Sequence, residues 1–129
     1  MTGNLLDSNI ALLATASAAS LNPKIRRAIQ RGPNFLSVIS YWEVVLKAGK
    51  SKLNVGDPPL WWHDTLEQLA ATPLPLRPDH VTAISELPPI HQDPFDRALI
   101  AQAQVEKLVL VTTDESVARY AGKRLHVLR

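Results

Sequence analysis

The stretch that decides the fold runs from Asp93 to Asp114, DPFDRALIAQAQVEKLVLVTTD. Asp93 followed by Pro94 is a helix start: an aspartate can accept from first-turn amides, and proline's fixed φ suits the first helical position. The helix is expected to run to about Glu106. Leu108 to Thr112 is then the most strand-like run in the chain, and Asp114 lies just past its end. A helix feeding a buried apolar strand is one repeat of an α/β architecture.

The same alternation extends outward in both directions. Leu5-Leu6 makes a minimal first strand, followed by helical spacing at Ile10, Leu13, Ala14 and Ser17. A second helix is punctuated by Asn22 as cap, Pro23 at its first position and Gly32 as its stop, with Ile25, Ala28 and Ile29 facing inward. Phe35 to Ile39 reads as a buried strand, and Ser40 as the opening of a helix through Ala48. Lys50 to Pro59 is a basic, turn-rich loop, and Pro59 to Ala71 a helix with Trp62, Leu66, Leu69 and Ala70 on one face. Leu74-Pro75-Leu76 can be only a short or edge strand. Pro78 to Leu87 and Ser116 to Ala121 are short helices, and a last strand lies around His126 to Leu128. No repeat or linker interrupts this pattern, so residues 1–129 are expected to form one domain with a parallel sheet.

Composition bounds the chemistry. The 129 residues contain no cysteine, which excludes a disulfide scaffold, a Cys-based zinc site and a thiol nucleophile. A total of 14 Lys+Arg against 12 Asp+Glu is too balanced to diagnose a nucleic-acid partner. No apolar run approaches the ~20 residues that span a bilayer. Ile10 to Leu21 is interrupted by Thr15, Ser17 and Ser20 and follows Asp7 rather than a basic leader, so a soluble cytoplasmic protein is the expectation.

Position makes the acids informative. In an open parallel sheet, ligands bind outside the carboxyl ends of the strands. Asp7 follows the first strand, Glu43 sits in the first turn of the helix after the second, Asp93 and Asp96 open the helix feeding the Leu108 strand, and Asp114 lies past that strand. Each has a local explanation. Ser40-x-x-Glu43 is a capping-box pattern, Glu43 can pair with Lys47, and Asp7, Asp93 and Asp114 can cap helices. Jointly, like charges crowded on one sheet edge repel unless a cation neutralises them. Mg²⁺ and Mn²⁺ favour such carboxylate oxygens.

Other chemistries are poorly supported. His63, His80, His91 and His126 show no metal-ligand spacing and read as surface or packing residues. Ala48-Gly49-Lys50-Ser51 resembles the end of a phosphate-binding loop, but Val44 replaces its first glycine and the segment follows a helix.

Four segments in order, Leu5-Leu6-Asp7-Ser8, Ser37-Val38-Ile39-Ser40-Tyr41-Trp42-Glu43, the His91–Ala103 string around Asp93-Pro94-Phe95-Asp96-Arg97, and Leu110-Val111-Thr112-Thr113-Asp114, resemble the successive motifs of PIN-domain proteins. The likeness is to the VapC-type toxins of type II toxin–antitoxin pairs and covers nearly the whole chain. The resemblance implies a three-layer α/β/α sandwich around a parallel sheet of four to five strands, and an endoribonuclease that uses one or two Mg²⁺ or Mn²⁺ ions. It carries the family's acidic quartet onto Asp7, Glu43, Asp96 and Asp114, which would hold the metal and perform catalysis. Ser8, Thr113 and Asp93 would orient these ligands from beside the site.

Lys47, Lys50, Lys52 and Arg97 form either an ordinary solvated face or a basic rim that contacts RNA phosphates. Trp61, off the apolar stripe of its helix, reads as partly buried under a loop or as a protein contact. A member of this family would pair with a cognate antitoxin, as a homodimer or a toxin–antitoxin hetero-oligomer. Two rivals stand beside this reading: a phosphoacceptor domain and a non-catalytic interaction module whose acids are only caps. The first lacks paired acids after its first strand, where Asp7 is followed by Ser8 and Asn9, and Asp57 sits in a loop.

Overall fold

Short apolar runs form five strands: β1 (Asn4–Leu6), β2 (Asn34–Ser37), β3 (Ala71–Leu74), β4 (Val109–Val111) and β5 (His126–Leu128). The computed structural model describes residues 3–129. All strand pairings are parallel, in the order β3-β2-β1-β4-β5. The connecting helices are α1 (Ser8–Ala16), α2 (Pro23–Arg31), α3 (Val38–Gly49), α4 (Pro58–Gln68), α5 (Pro78–Ser85), α6 (Pro94–Glu106) and α7 (Glu115–Ala118), with a 3₁₀ turn at Ala18–Ser20. The expected α/β/α architecture is present, with a five-stranded sheet.

Side-chain alternation along the strands divides the core into two layers. Leu5 and Leu110 point to one face and pack with Leu99, Ile100 and Ala103 of α6, Ile39 of α3 and Val117 of α7. Their neighbours Leu6, Leu36 and Val111 point to the other face, against Ile10, Ala11 and Ala14 of α1, Ile25 of α2 and Leu69 after α4. Leu5, Leu6, Ile10, Ile25, Leu36, Ile100 and Val111 have no accessible surface. Each such side chain contributes roughly 1.5–3 kcal/mol by leaving water. Strands of three and four residues persist because both faces are covered.

Capping chemistry sets several boundaries. Asn22 accepts from the Ile25 amide at 2.9 Å, Pro23 occupies the first turn, and Gly32 ends α2 with φ of 58°. Asp93 accepts from the Phe95 and Asp96 amides, at 2.8 and 3.3 Å, to open α6. At the amino end of the sheet, Asn4 donates to the Ala28 carbonyl and to Asn34. Asn34 in turn donates to the carbonyls of Ile29 and Leu69, so two buried amides close the ends of α2 and α4.

Two regions differ from expectation. α4 ends at Gln68 rather than Ala71, and β3 takes Ala71–Leu74 rather than Leu74–Leu76, so it stops at the residue before Pro75. The other is the start of α3. β2 stops at Ser37, whose hydroxyl accepts from the Ile39 amide at 3.0 Å and caps α3. Ser40 is therefore inside the helix, buried, with no hydrogen-bond partner for its hydroxyl among the described residues. Glu43 falls in the second turn of α3, so Ser40 and Glu43 do not form a capping box. β-branched Val38 and Ile39 continue the apolar run past the true end of the strand, which explains the misplaced boundary.

The strand order positions the site. The chain builds outward from β1 through β2 to β3, then returns to add β4 on the opposite side of β1. Connections leave β1 and β4 in opposite directions, opening a crevice at their carboxyl ends. Asp7 follows β1 and Asp114 lies three residues beyond the end of β4.

Candidate active site

Helix starts aim four acids at this crevice. Asp7 caps α1 by accepting from the Ile10 amide at 2.8 Å, and Asp114 caps α7 by accepting from Ser116 at 2.8 Å. Asp96 lies in the first turn of α6, and Asp93 is that helix's cap. Capping thus coexists with convergence: one oxygen of a carboxylate can fix the backbone while the other remains available. Asp7 and Asp96 line one crevice with Leu99, Leu110, Thr112 and Val117.

Glu43 reaches the site from α3 and is 8% exposed. The Ser8 hydroxyl donates to its Oε1 at 2.8 Å, while Lys47 Nζ lies 2.9 Å from Oε2. Lys47, expected on a phosphate-binding rim, is one turn along α3 and spends its charge on Glu43.

Crowding and burial perturb these carboxyls. Burial pushes the Asp7 carboxyl up, and Glu43 and Asp114 add to this; hydrogen bonds from Thr112 and the Ile10 amide oppose it. Burial also pushes Asp96 up, to about 6, with Asp93 and Asp114 adding to the rise and His91 opposing it. Mutual repulsion therefore links Asp7 to Glu43 and Asp114, and Asp96 to Asp93 and Asp114. This is the electrostatic signature of a pocket suited to a cation. One ligand atom each from His91, Asp96 and Asp114 lies within 4.8 Å of the other two.

Several residues fall where sequence did not put them. The hydroxyl that serves the site belongs to Thr112, which is buried, donates to Asp7 and accepts from the Asp114 amide at 3.0 Å. Thr113, one residue further from the end of β4, is exposed instead. Arg97 also departs from the basic rim. Its guanidinium donates to the carbonyls of Ile84, Leu87, Pro88 and His91 and to the Tyr120 hydroxyl, at 3.0 to 3.4 Å. Arg97 is thus the tie that holds the Pro88–His91 loop. Lys50 and Lys52 are exposed and belong to no ion pair among the described residues.

His91 contradicts its reading as a surface or packing residue, since its Nε2 is 2.7 Å from Asp96 Oδ2. Trp61 is half-buried, and the widely exposed tryptophan is Trp42, at 55%. The Trp42 ring meets the Phe95 ring edge-on, with centroids 5.1 Å apart, beside Glu43 and Asp96 in sequence. Trp62 instead stacks on Tyr41 at 4.8 Å. The five-residue step from His91 to Asp96 across a helix start was the only sequence signal for the histidine contact.

A profile of the PIN domain matches residues 5–123, from β1 to beyond α7. The chain belongs to the PIN-domain family. No curated protein matches its sequence. Solved structures share the PIN fold at low identity. A chain in the structure of VapBC2 from Rickettsia felis, bound to a DNA fragment from its promoter, is 16% identical with a TM-score of 0.72, covering 97% of this chain and 96% of that one. FitAcB from Neisseria gonorrhoeae gives 21% identity and a TM-score of 0.66, over 98% and 96% of the two chains. VapBC-5 from Mycobacterium tuberculosis, a member of the VapBC family of toxin–antitoxin systems, gives 21% and 0.61, over 100% and 99%. Among the described residues of this PIN domain, no helix is long and apolar enough to cross a membrane.

Proposed function

We propose that this PIN domain, a single unit over residues 1–129, is a VapC-type toxin: a divalent-metal-dependent endoribonuclease that hydrolyses RNA phosphodiester bonds in the cytoplasm. The observation that carries the reading is the convergence of Asp7, Glu43, Asp96 and Asp114 on the crevice between β1 and β4, where burial, with neighbouring acids adding to it, pushes Asp7 and Asp96 up. Cap roles alone do not require that four acids from separate segments share one crevice.

The donor set fits a hard divalent cation. Asp7, Asp96 and Asp114 would hold Mg²⁺ or Mn²⁺, with Glu43 as a further ligand directly or through water. When bound, such a cation supplies Lewis acidity toward a water nucleophile and the phosphate. The surrounding residues keep the carboxylates in place. Ser8 fixes Glu43, Thr112 bridges Asp7 and the Asp114 amide, and Asp93 holds the first turn of α6 that carries Asp96. Lys47 offsets the charge of Glu43. For the substrate, Lys50 and Lys52 supply phosphate contacts, and exposed Trp42 offers a flat apolar surface on which an unpaired base can stack.

The partner in this reading is a cognate antitoxin, in a hetero-oligomer of the kind named for the VapBC and FitAB structures. Expression in bacteria followed by sequencing of RNA 5′ ends tests the function. Wild type should generate new ends at discrete positions, and Asp96→Asn should generate none. Identical end profiles for the two would reject it.

A further inference from the structure

The Pro88–His91 loop is fixed by an unusual investment of polar contacts. The His91 amide donates to the Tyr120 hydroxyl at 2.8 Å, and that hydroxyl donates to the Pro88 carbonyl at 2.9 Å. Arg97 meets the carbonyls of His91, Pro88 and Leu87 from below. These bonds place one side chain at the acidic crevice, the His91 imidazole, with Nε2 2.7 Å from Asp96 Oδ2.

The imidazole is not confined to Asp96. A ring nitrogen of His91 is grouped with one carboxylate oxygen each of Asp96 and of Asp114, which belongs to another part of the chain, and all three atoms lie within 4.8 Å of one another. Two ligands of one octahedral ion, each about 2.1 Å from it, are separated by at most about 4.2 Å. Small side-chain movements therefore suffice to close the three around one cation. A histidine that only oriented Asp96 would need to reach that carboxylate alone. Reach to both carboxylates is the arrangement of a ligand.

We propose that His91 is a nitrogen ligand of the cation held by Asp96 and Asp114, and that it biases this site toward Mn²⁺ over Mg²⁺. The inference rests on the metal-dependent reading above and specifies its ligand set. Mg²⁺ favours oxygen ligands and its own waters, whereas imidazole binds first-row transition ions more readily. Coordination uses the Nε2 lone pair, with the ring proton on Nδ1; the atom that meets Asp96 in the structure becomes the donor atom.

Pulsed electron paramagnetic resonance of the full chain loaded with Mn²⁺ tests this directly, alongside competitive Mn²⁺ and Mg²⁺ titrations. Wild type should show the coupling of a directly bound ¹⁴N, replaced by the ¹⁵N pattern when the protein is grown on ¹⁵N-histidine. His91→Gln should lose the coupling and bind Mn²⁺ about tenfold more weakly or worse, with Mg²⁺ affinity changed less than about threefold. His63→Gln, at an exposed position on α4, should retain the coupling. Asp96-dependent Mn²⁺ binding without a nitrogen coupling in wild type would overturn the proposal and leave an all-carboxylate site standing. Persistence of the coupling in His91→Gln would overturn it as well. Should His91→Gln fail to fold, the isotope replacement in wild type still decides whether a histidine is bound. Mn²⁺ affinity unchanged in Asp96→Asn would remove the carboxylate site, and both readings with it.

Discussion

Ser8 on α1 and Glu43 on α3 are 35 positions apart in the chain and joined by a 2.8 Å hydrogen bond from hydroxyl to Oε1. The bond ties the helix that follows β1 to the helix that follows β2. It also occupies one of the two oxygens of a carboxylate that is almost fully buried, leaving Lys47 at the other. Ser8→Ala should lower RNA cleavage about tenfold by loosening Glu43. The fold should lose only about 1–2 kcal/mol, the cost of a missing partner at a buried polar group. Cleavage rates and denaturant unfolding of the same samples check this.

Asp96 gives a pH-dependent stability with a defined sign. Its carboxyl stands at about 6 in the folded chain, against an ordinary value of 3.8. Between these values the folded state binds more protons than the unfolded state, so this group's contribution falls as pH rises from about 4 to about 6 and is flat above. Metal-free Asp96→Asn lacks the charge that burial penalises. It should therefore melt at a higher temperature than wild type above pH 6, with the difference shrinking toward pH 4. Melting curves across that range, with chelator present, provide the measurement. A gap that widened on acidification would contradict the assignment.

Much of this was legible because caps are local. Asp93-Pro94 announced α6, Asn22-Pro23 and Gly32 bracketed α2, and the His126–Leu128 strand followed from its apolar run. Residues whose roles depend on direction were not. Adjacent helix positions differ by about 100°, so the sequence neighbour of Asp96 need not face the same partners, and Arg97 turns its guanidinium toward the Pro88–His91 loop carbonyls. Thr112 and Thr113 are indistinguishable in sequence until the fold buries one at the end of β4 and exposes the other. His91 lies on a loop positioned by Tyr120, 29 residues away, a tie that ligand-spacing rules within one element cannot reveal.

Arg97 and the α3–α4 loop lysines should separate cleanly. Arg97→Met removes five hydrogen bonds to one loop and its neighbours, and should cost about 2–3 kcal/mol in unfolding free energy. Lys50→Gln with Lys52→Gln should leave stability within about 0.5 kcal/mol. The lysine pair should instead weaken RNA binding and lower the log–log salt slope by about 0.7 per lost phosphate contact. Filter binding at several salt concentrations, read against melting curves, distinguishes the two roles.

Trp42 has half its surface in water and meets Phe95 edge-on. Trp42→Ala should leave the fold nearly unchanged and weaken binding of single-stranded RNA by about 1–3 kcal/mol. Quenching of Trp42 fluorescence by added RNA, assigned by its loss in the variant, measures the same contact.

The central claim is that these carboxylates form a metal-dependent RNA-cleaving centre, and purified protein on single-stranded RNA tests it most directly. Wild type should cleave in Mn²⁺ or Mg²⁺ and stop when the ions are chelated. Asp7→Asn and Asp96→Asn should each lose cleavage while melting cooperatively. Equal cleavage by wild type and both folded variants, or cleavage by wild type undiminished by chelator, would contradict the account.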